Sequence, residues 1–183
     1  MRTICILALA FSSVGAPAAA QAVEPRGTAG AVLGGGRTWD DEGQIGGGIV
    51  AGGRVDWRVF GSTSLEASAD VLTHDRSGGF FEAEGQTVLI GVSLLHRFGT
   101  AAARPYVLGG FDIVRHDGST TFDGVRTERR STDYGYHFGG GLAVRIGERL
   151  EAGPEARFFM IQPEDGSAPA FAYWFGGRLA IRF

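Results

Sequence analysis

Residues 171–183 read FAYWFGGRLAIRF. Taken two at a time, Phe171, Tyr173, Phe175, Leu179, Ile181 and Phe183 fall on one side and Trp174, Arg178, Ala180 and Arg182 on the other, because successive side chains of a strand point to opposite faces. This period of two recurs along the chain and constrains the fold more than any other feature. It asks for strands with one apolar and one charged face. The last strand ends on an aromatic residue with no polar tail after it, as expected of a strand that closes a barrel in a membrane.

Periodicity places seven further strands before it. The first spans about 27–37 and is mostly Gly and Ala. The second, about 44–59, sets Ile45, Ile49, Ala51, Val55 and Trp57 against Arg54, Asp56 and Arg58, and the third, about 63–74, sets Leu65, Ala67, Ala69 and Val71 against Glu66, Ser68 and Asp70. In the fourth, about 86–98, Val88, Ile90, Val92, Leu94 and Phe98 oppose Thr87, Gly91, Ser93 and Arg97. The fifth runs about 105–116, and placing Asp112 off the apolar face leaves Val107, Phe111 and Ile113 on it. The sixth, about 133–146, sets Tyr134, Tyr136, Phe138, Leu142, Val144 and Ile146 against Asp133, His137 and Arg145. The seventh, about 149–161, sets Leu150, Ala152, Ala156, Phe158 and Met160 against Arg149, Glu151, Glu155 and Arg157, with Pro154 marking a bulge or irregular spot. Short connections at 60–62, 99–104 and 147–148 alternate with longer polar ones at 38–43, 75–85, 117–132 and 162–169. Short turns at one end and long loops at the other are the pattern of an all-β, eight-stranded antiparallel up-and-down transmembrane β-barrel.

The amino terminus fits an exported chain. Met1 and Arg2, an apolar run over 4–11 and the A-x-A site Ala20-Gln21-Ala22 read as a cleaved signal peptide, 1–22, leaving 23–183 as one barrel domain. The apolar run is too short to cross a bilayer as a helix, and nothing after Ala22 approaches one long enough, so a membrane fold must be a closed barrel. Cys5 lies inside the signal, so the mature chain has no disulfide and no cysteine metal site. A net charge of −3 gives no reason to expect nucleic acid. No metal-ligand spacing and no phosphate-cradling loop before a helix occurs, so neither metal nor cofactor is expected.

Alternation alone does not say which face points inward, since a soluble lipocalin-like barrel gives the same pattern with the faces exchanged. Charge balance favours a charged interior. The polar face holds Arg54, Arg58, Arg97, Arg145, Arg149, Arg157, Arg178 and Arg182 against Asp56, Glu66, Asp70, Asp112, Asp133, Glu151 and Glu155. A narrow lumen needs such near-neutrality because unpaired buried charge costs several kcal/mol. All 17 basic residues are arginine, whose planar fork suits buried carboxylates. The expected lumen network is Arg54, Arg58, Glu66, Asp70, Arg97, Arg145, Glu151, Glu155, Arg157, Arg178 and Arg182. Trp57, Phe60, Phe98, Tyr106, Phe158, Tyr173 and Phe183 lie near strand ends, as interfacial girdles do.

With its signal peptide, eight alternating strands, terminal LAIRF, and the internal stretches FFEAEGQT and RPYVLGGFDIVRH, the chain resembles the small bacterial outer-membrane β-barrel family that includes the OmpA transmembrane domain and OmpX. The resemblance implies the outer membrane of a Gram-negative-type bacterium, outer-membrane lipid and the barrel-assembly and periplasmic chaperone machinery as partners, and a monomer. It also implies an assembly signal in Tyr173, Phe175, Leu179, Ile181 and Phe183. The function expected is non-enzymatic: a plugged barrel contributing to envelope structure or surface contacts through its longer loops. The alternative is a lipid A-modifying acyl hydrolase or acyltransferase. For that chemistry His74, Asp75 and Ser77, and His116, Asp117 and Ser119, bring triad residue types together, but at strand-to-loop transitions where neighbours point apart. His137 reads as a lumenal hydrogen-bonding partner rather than a general base. Outer-membrane lipid A deacylases carry a His-x-Ser pair on a late strand, and here the corresponding stretch is His137-Phe138-Gly139. No catalytic residue is therefore assigned.

Overall fold

The computed structural model describes residues 26–183 apart from 41–42, 79–80, 124, 165 and 167. The expected signal peptide lies outside the described residues. Eight strands follow one another: β1 (Gly27–Asp40), β2 (Gly43–Phe60), β3 (Thr63–Gly78), β4 (Phe81–Arg97), β5 (Ala103–Phe122), β6 (Val125–Ile146), β7 (Leu150–Gln162) and β8 (Ala170–Arg182). Each pairs antiparallel with the next, and β8 returns to pair with β1, so the sheet closes with no free edge. Closure satisfies the backbone of every strand from within the sheet, the condition for crossing lipid with strands. The last residue takes part, since Gly27 N donates to Phe183 O at 3.0 Å and Phe183 N to Gly27 O at 3.1 Å.

The two faces are those of a membrane barrel rather than a soluble one. On β8, Arg178 is 5 % exposed and its neighbour Leu179 is 56 % exposed; on β3, Glu66 is 0 % and Leu65 50 %. Leu33, Ile49, Ile90, Leu94, Phe111, Phe138 and Phe175 continue the apolar exterior. The phase expected for β5 holds, with Val107, Phe111 and Ile113 outside and Asp112 inside.

Three expectations need correction. Most of the stretches 75–85 and 117–132 are paired strand rather than loop, for the β3–β4 ladder runs out to Gly78 opposite Phe81 and the β5–β6 ladder to Phe122 opposite Val125. Ladder hydrogen bonds come from the backbone and continue where polar side chains no longer alternate. Arg149 belongs to the turn between β6 and β7 and is exposed. Tyr106 is not a girdle residue but points into the barrel. Pro154 marks an irregular spot, as expected: the β6–β7 pairing is interrupted there without a change of register, Gly141 facing Glu155 and Val144 facing Ala152, so the missing N–H opens the ladder but inserts no residue.

The interior is filled, as the narrow bore of eight strands allows. Toward the hairpin end, Val32, Val50, Leu72, Leu89, Val114, Phe159, Ile161, Ala172 and Trp174 form an apolar cluster. A smaller one joins Leu95, Tyr106, Leu108 and Ala143. The lumen is thus not lined by charge alone: its ion pairs lie against apolar packing, which keeps water from competing for them.

Candidate functional site

At the centre of the lumen, guanidiniums from β2, β7 and β8 meet carboxylates from β2, β3 and β7. Arg54 grips Asp70 bidentately, Nη1 to Oδ1 at 2.5 Å and Nη2 to Oδ2 at 2.8 Å. Arg157 donates from Nη2 to Glu66 Oε1 at 2.5 Å and from Nε to Glu155 Oε1 at 2.7 Å. Arg178 donates to Glu66 Oε2 at 3.1 Å and to Asp56 Oδ2 at 2.8 Å. Thr28 also donates to Asp56, and the Tyr106 hydroxyl donates to Glu155 Oε2 at 2.6 Å. Toward the end where β1 begins and β8 ends, Arg97 reaches Asp56 at 3.0 Å and Arg104 reaches Glu151 at 2.9 Å. Five arginines and five carboxylates are joined in this way, a neutral set in which most charges touch more than one partner. Trp174 lies beneath two of them, with the guanidinium carbons of Arg54 and Arg157 at 5.5 and 5.8 Å from its ring centre.

Eight of the eleven residues expected in the lumen network, Arg54, Glu66, Asp70, Arg97, Glu151, Glu155, Arg157 and Arg178, are brought together there. Arg58, Arg145 and Arg182 line a cavity at the end where β1 begins and β8 ends. Arg182 donates to the Glu148 carbonyl oxygen at 3.3 Å, because it lies two alternations beyond Arg178, past the inward Ala180 and at the rim. Arg104, which the sequence placed in a connection, and Asp56, Thr28 and Tyr106 complete the network. Strand parity already put Asp56 and, with Asp112, Tyr106 on this face; Arg104 needed the true start of β5 and Thr28 the β1–β2 register that sets it opposite Asp56.

Glycine makes room for two of the carboxylates. A Cβ at Gly52 would collide with Asp70 Oδ1, and one at Gly91 with Asp112 Oδ1. Neither strand could bring its neighbour's carboxylate inward with a side chain at those points.

A second polar chain crosses β4, β5 and β6. Ser93 Oγ lies 2.7 Å from His137 Nε2, and His137 Nδ1 lies 2.5 Å from Asp112 Oδ2. Gly110 stands between Ser93 and His137 in the register and offers no side chain, so the imidazole reaches across it. Serine, histidine and aspartate in this order are the parts of an acyl-transfer triad. Here Ser93 is 2 % and His137 3 % exposed, and the His137 ring packs on Phe159 at 5.5 Å between centres. The group faces the lumen and not the lipid.

His74 and His116 sit nearer the end formed by the β3–β4 and β5–β6 hairpins. Thr87 Oγ1 is 3.0 Å from His74 Nε2 and 2.8 Å from His116 Nδ1, and His116 Nε2 is 3.7 Å from Asp133 Oδ2. Asp117 takes ion pairs from Arg115 and Arg130 at 3.2 and 3.1 Å. Of Asp75 and Ser77 only the backbone is described. Tyr173, Phe175, Leu179, Ile181 and Phe183 all point outward, and Phe183 leans on Trp57 with ring centres 5.9 Å apart.

A closed eight-stranded barrel, apolar outside and ion-paired inside, defines an integral outer-membrane β-barrel. The family described as the outer membrane protein beta-barrel domain matches residues 6–175, and the chain belongs to it. Its location is the Gram-negative outer membrane. Solved barrels agree on the fold. Neisserial surface protein A superposes with a TM-score of 0.71 at 13% identity, covering 86% of this chain and 97% of that one. Ail, the attachment invasion locus protein of Yersinia pestis, gives 0.58 at 13% identity over 86% and 99%. The outer membrane enzyme PagL gives 0.51 at 16% identity over 83% and 97%. A sequence comparison with curated proteins finds no match.

Proposed function

We propose that the protein is a non-enzymatic outer-membrane barrel whose interior is a plug and whose projecting β3–β4 and β5–β6 hairpins serve envelope structure or surface contacts. The observation that carries this reading is the filled interior: a neutral network of five arginines and five carboxylates packed against two apolar clusters. Such an interior stabilises a barrel but leaves no wide aqueous bore. The known barrels of this shape include both surface proteins and an enzyme, and fold does not fix function.

The enzymatic reading has one observation in its favour, the Ser93–His137–Asp112 chain. Acyl chemistry would need a lipid ester within about 3 Å of Ser93 Oγ and donors for the oxyanion, whereas burial closes the serine to lipid. The chain is better explained as a hydrogen-bonded girder linking three strands. The test is a lipid A mass profile of cells expressing the wild type or the single variants Ser93→Ala, His74→Ala, His116→Ala and His137→Ala. Identical acylation in all is expected. An acyl change made by the wild type and lost in any variant overturns the non-enzymatic reading.

A further inference from the structure

At the end where β1 begins and β8 ends, the barrel opens into a cavity of about 290 Å³, room for roughly ten waters at about 30 Å³ each. Its wall holds six guanidiniums, those of Arg26, Arg58, Arg97, Arg104, Arg145 and Arg182, and one carboxylate, Asp56. That carboxylate is already engaged by Arg97 and Arg178 at 3.0 and 2.8 Å. Glu151, the cross-strand neighbour of Arg145, is taken by Arg104 at 2.9 Å. Among the described residues, Nε of Arg145, of Arg97 and of Arg104 is buried with no hydrogen-bond acceptor. Among the described residues of this wall, cations from six different segments thus outnumber carboxylates around one space.

We propose that the cavity is a binding site for a small oxyanion of the phosphate class bearing two or more negative charges. Guanidinium forks pair bidentately with phosphate oxygens, and a half-enclosed cationic cavity focuses the field that attracts such an ion. Ser62, Ser64 and Thr100 add hydroxyl donors to the wall. The phosphate can come free from solution or on a lipid headgroup at the rim.

The experiment uses the barrel purified from membranes in a zwitterionic detergent. In one arm, inorganic pyrophosphate is titrated by calorimetry; in the other, micelles doped with phosphatidic acid are read by native mass spectrometry. Saturable one-to-one pyrophosphate binding is expected, weakened about tenfold by Arg145→Gln, the order of one lost charge-assisted hydrogen bond. Arg26→Gln should weaken it as well. Arg26 precedes β1, so this variant decides the matter if Arg145→Gln does not fold. Arg115→Gln, near the opposite end, should change it less than about twofold. Binding in the lipid arm alone, with the same dependence on Arg145 and Arg26, assigns the phosphate to a headgroup and supports the site. No binding in either arm, or binding indifferent to both variants, overturns it.

Discussion

Arg178, on the last strand, donates to Glu66, on the third, at 3.1 Å across the interior of the barrel. Glu66 receives Arg157 through its other oxygen, so one carboxylate holds two guanidiniums from neighbouring strands. Desolvated charges in such a set are stable only together, because removing one partner leaves the others buried and uncompensated.

Glu66→Ala should therefore lower the unfolding free energy by about 3–5 kcal/mol. Arg115→Ala breaks an ion pair whose arginine is 60% exposed and should cost no more than about 1 kcal/mol. Urea unfolding in the same lipid, followed by tryptophan fluorescence, compares the two. Equal losses would mean that the network is not what holds the lumen together.

Gly52→Val pushes a side chain into Asp70 Oδ1 and so into the Arg54 pair. A loss of about 1–3 kcal/mol is expected from overpacking alone. Gly53→Val meets nothing within 4 Å and should be tolerated to within about 0.5 kcal/mol. The same unfolding curves show whether adjacent glycines differ in this way.

Leu179 faces outward beside the inward Arg178. Leu179→Arg exposes a cation to hydrocarbon and should destabilise the inserted barrel by up to about 2–4 kcal/mol, least if the site lies close to the interface. A neutral outcome in thick bilayers would contradict the lipid-facing assignment of that side of β8.

The assembly role of the last strand is a proposal that deletion of Phe183 tests. The backbone of Phe183 pairs with Gly27 and its ring meets Trp57. Export to the periplasm should be unchanged, and heat-modifiable, membrane-inserted protein should fall. Normal insertion of the shortened chain would show that the terminal aromatic is dispensable.

The strands and their two faces were legible in the sequence because period two is a local property: Leu65 beside Glu66, or Leu179 beside Arg178, announces opposite sides whatever the rest of the chain does. Parity also put Ser93, Asp112 and His137 on one face. What parity could not supply was height. The Ser93–Gly110–His137 alignment depends on how far β4, β5 and β6 are paired beyond their apolar stretches, and polar hairpins carry no alternation from which to read it. Nor could local pattern show that Arg178 would reach Glu66 rather than Glu151, or that Arg58, Arg145 and Arg182 would gather at one mouth with Arg26, Arg97 and Arg104. Those pairings join residues far apart in sequence, and they follow from the register and the closure of β8 onto β1. Register is summed over all eight strands, so only the closed barrel decides it.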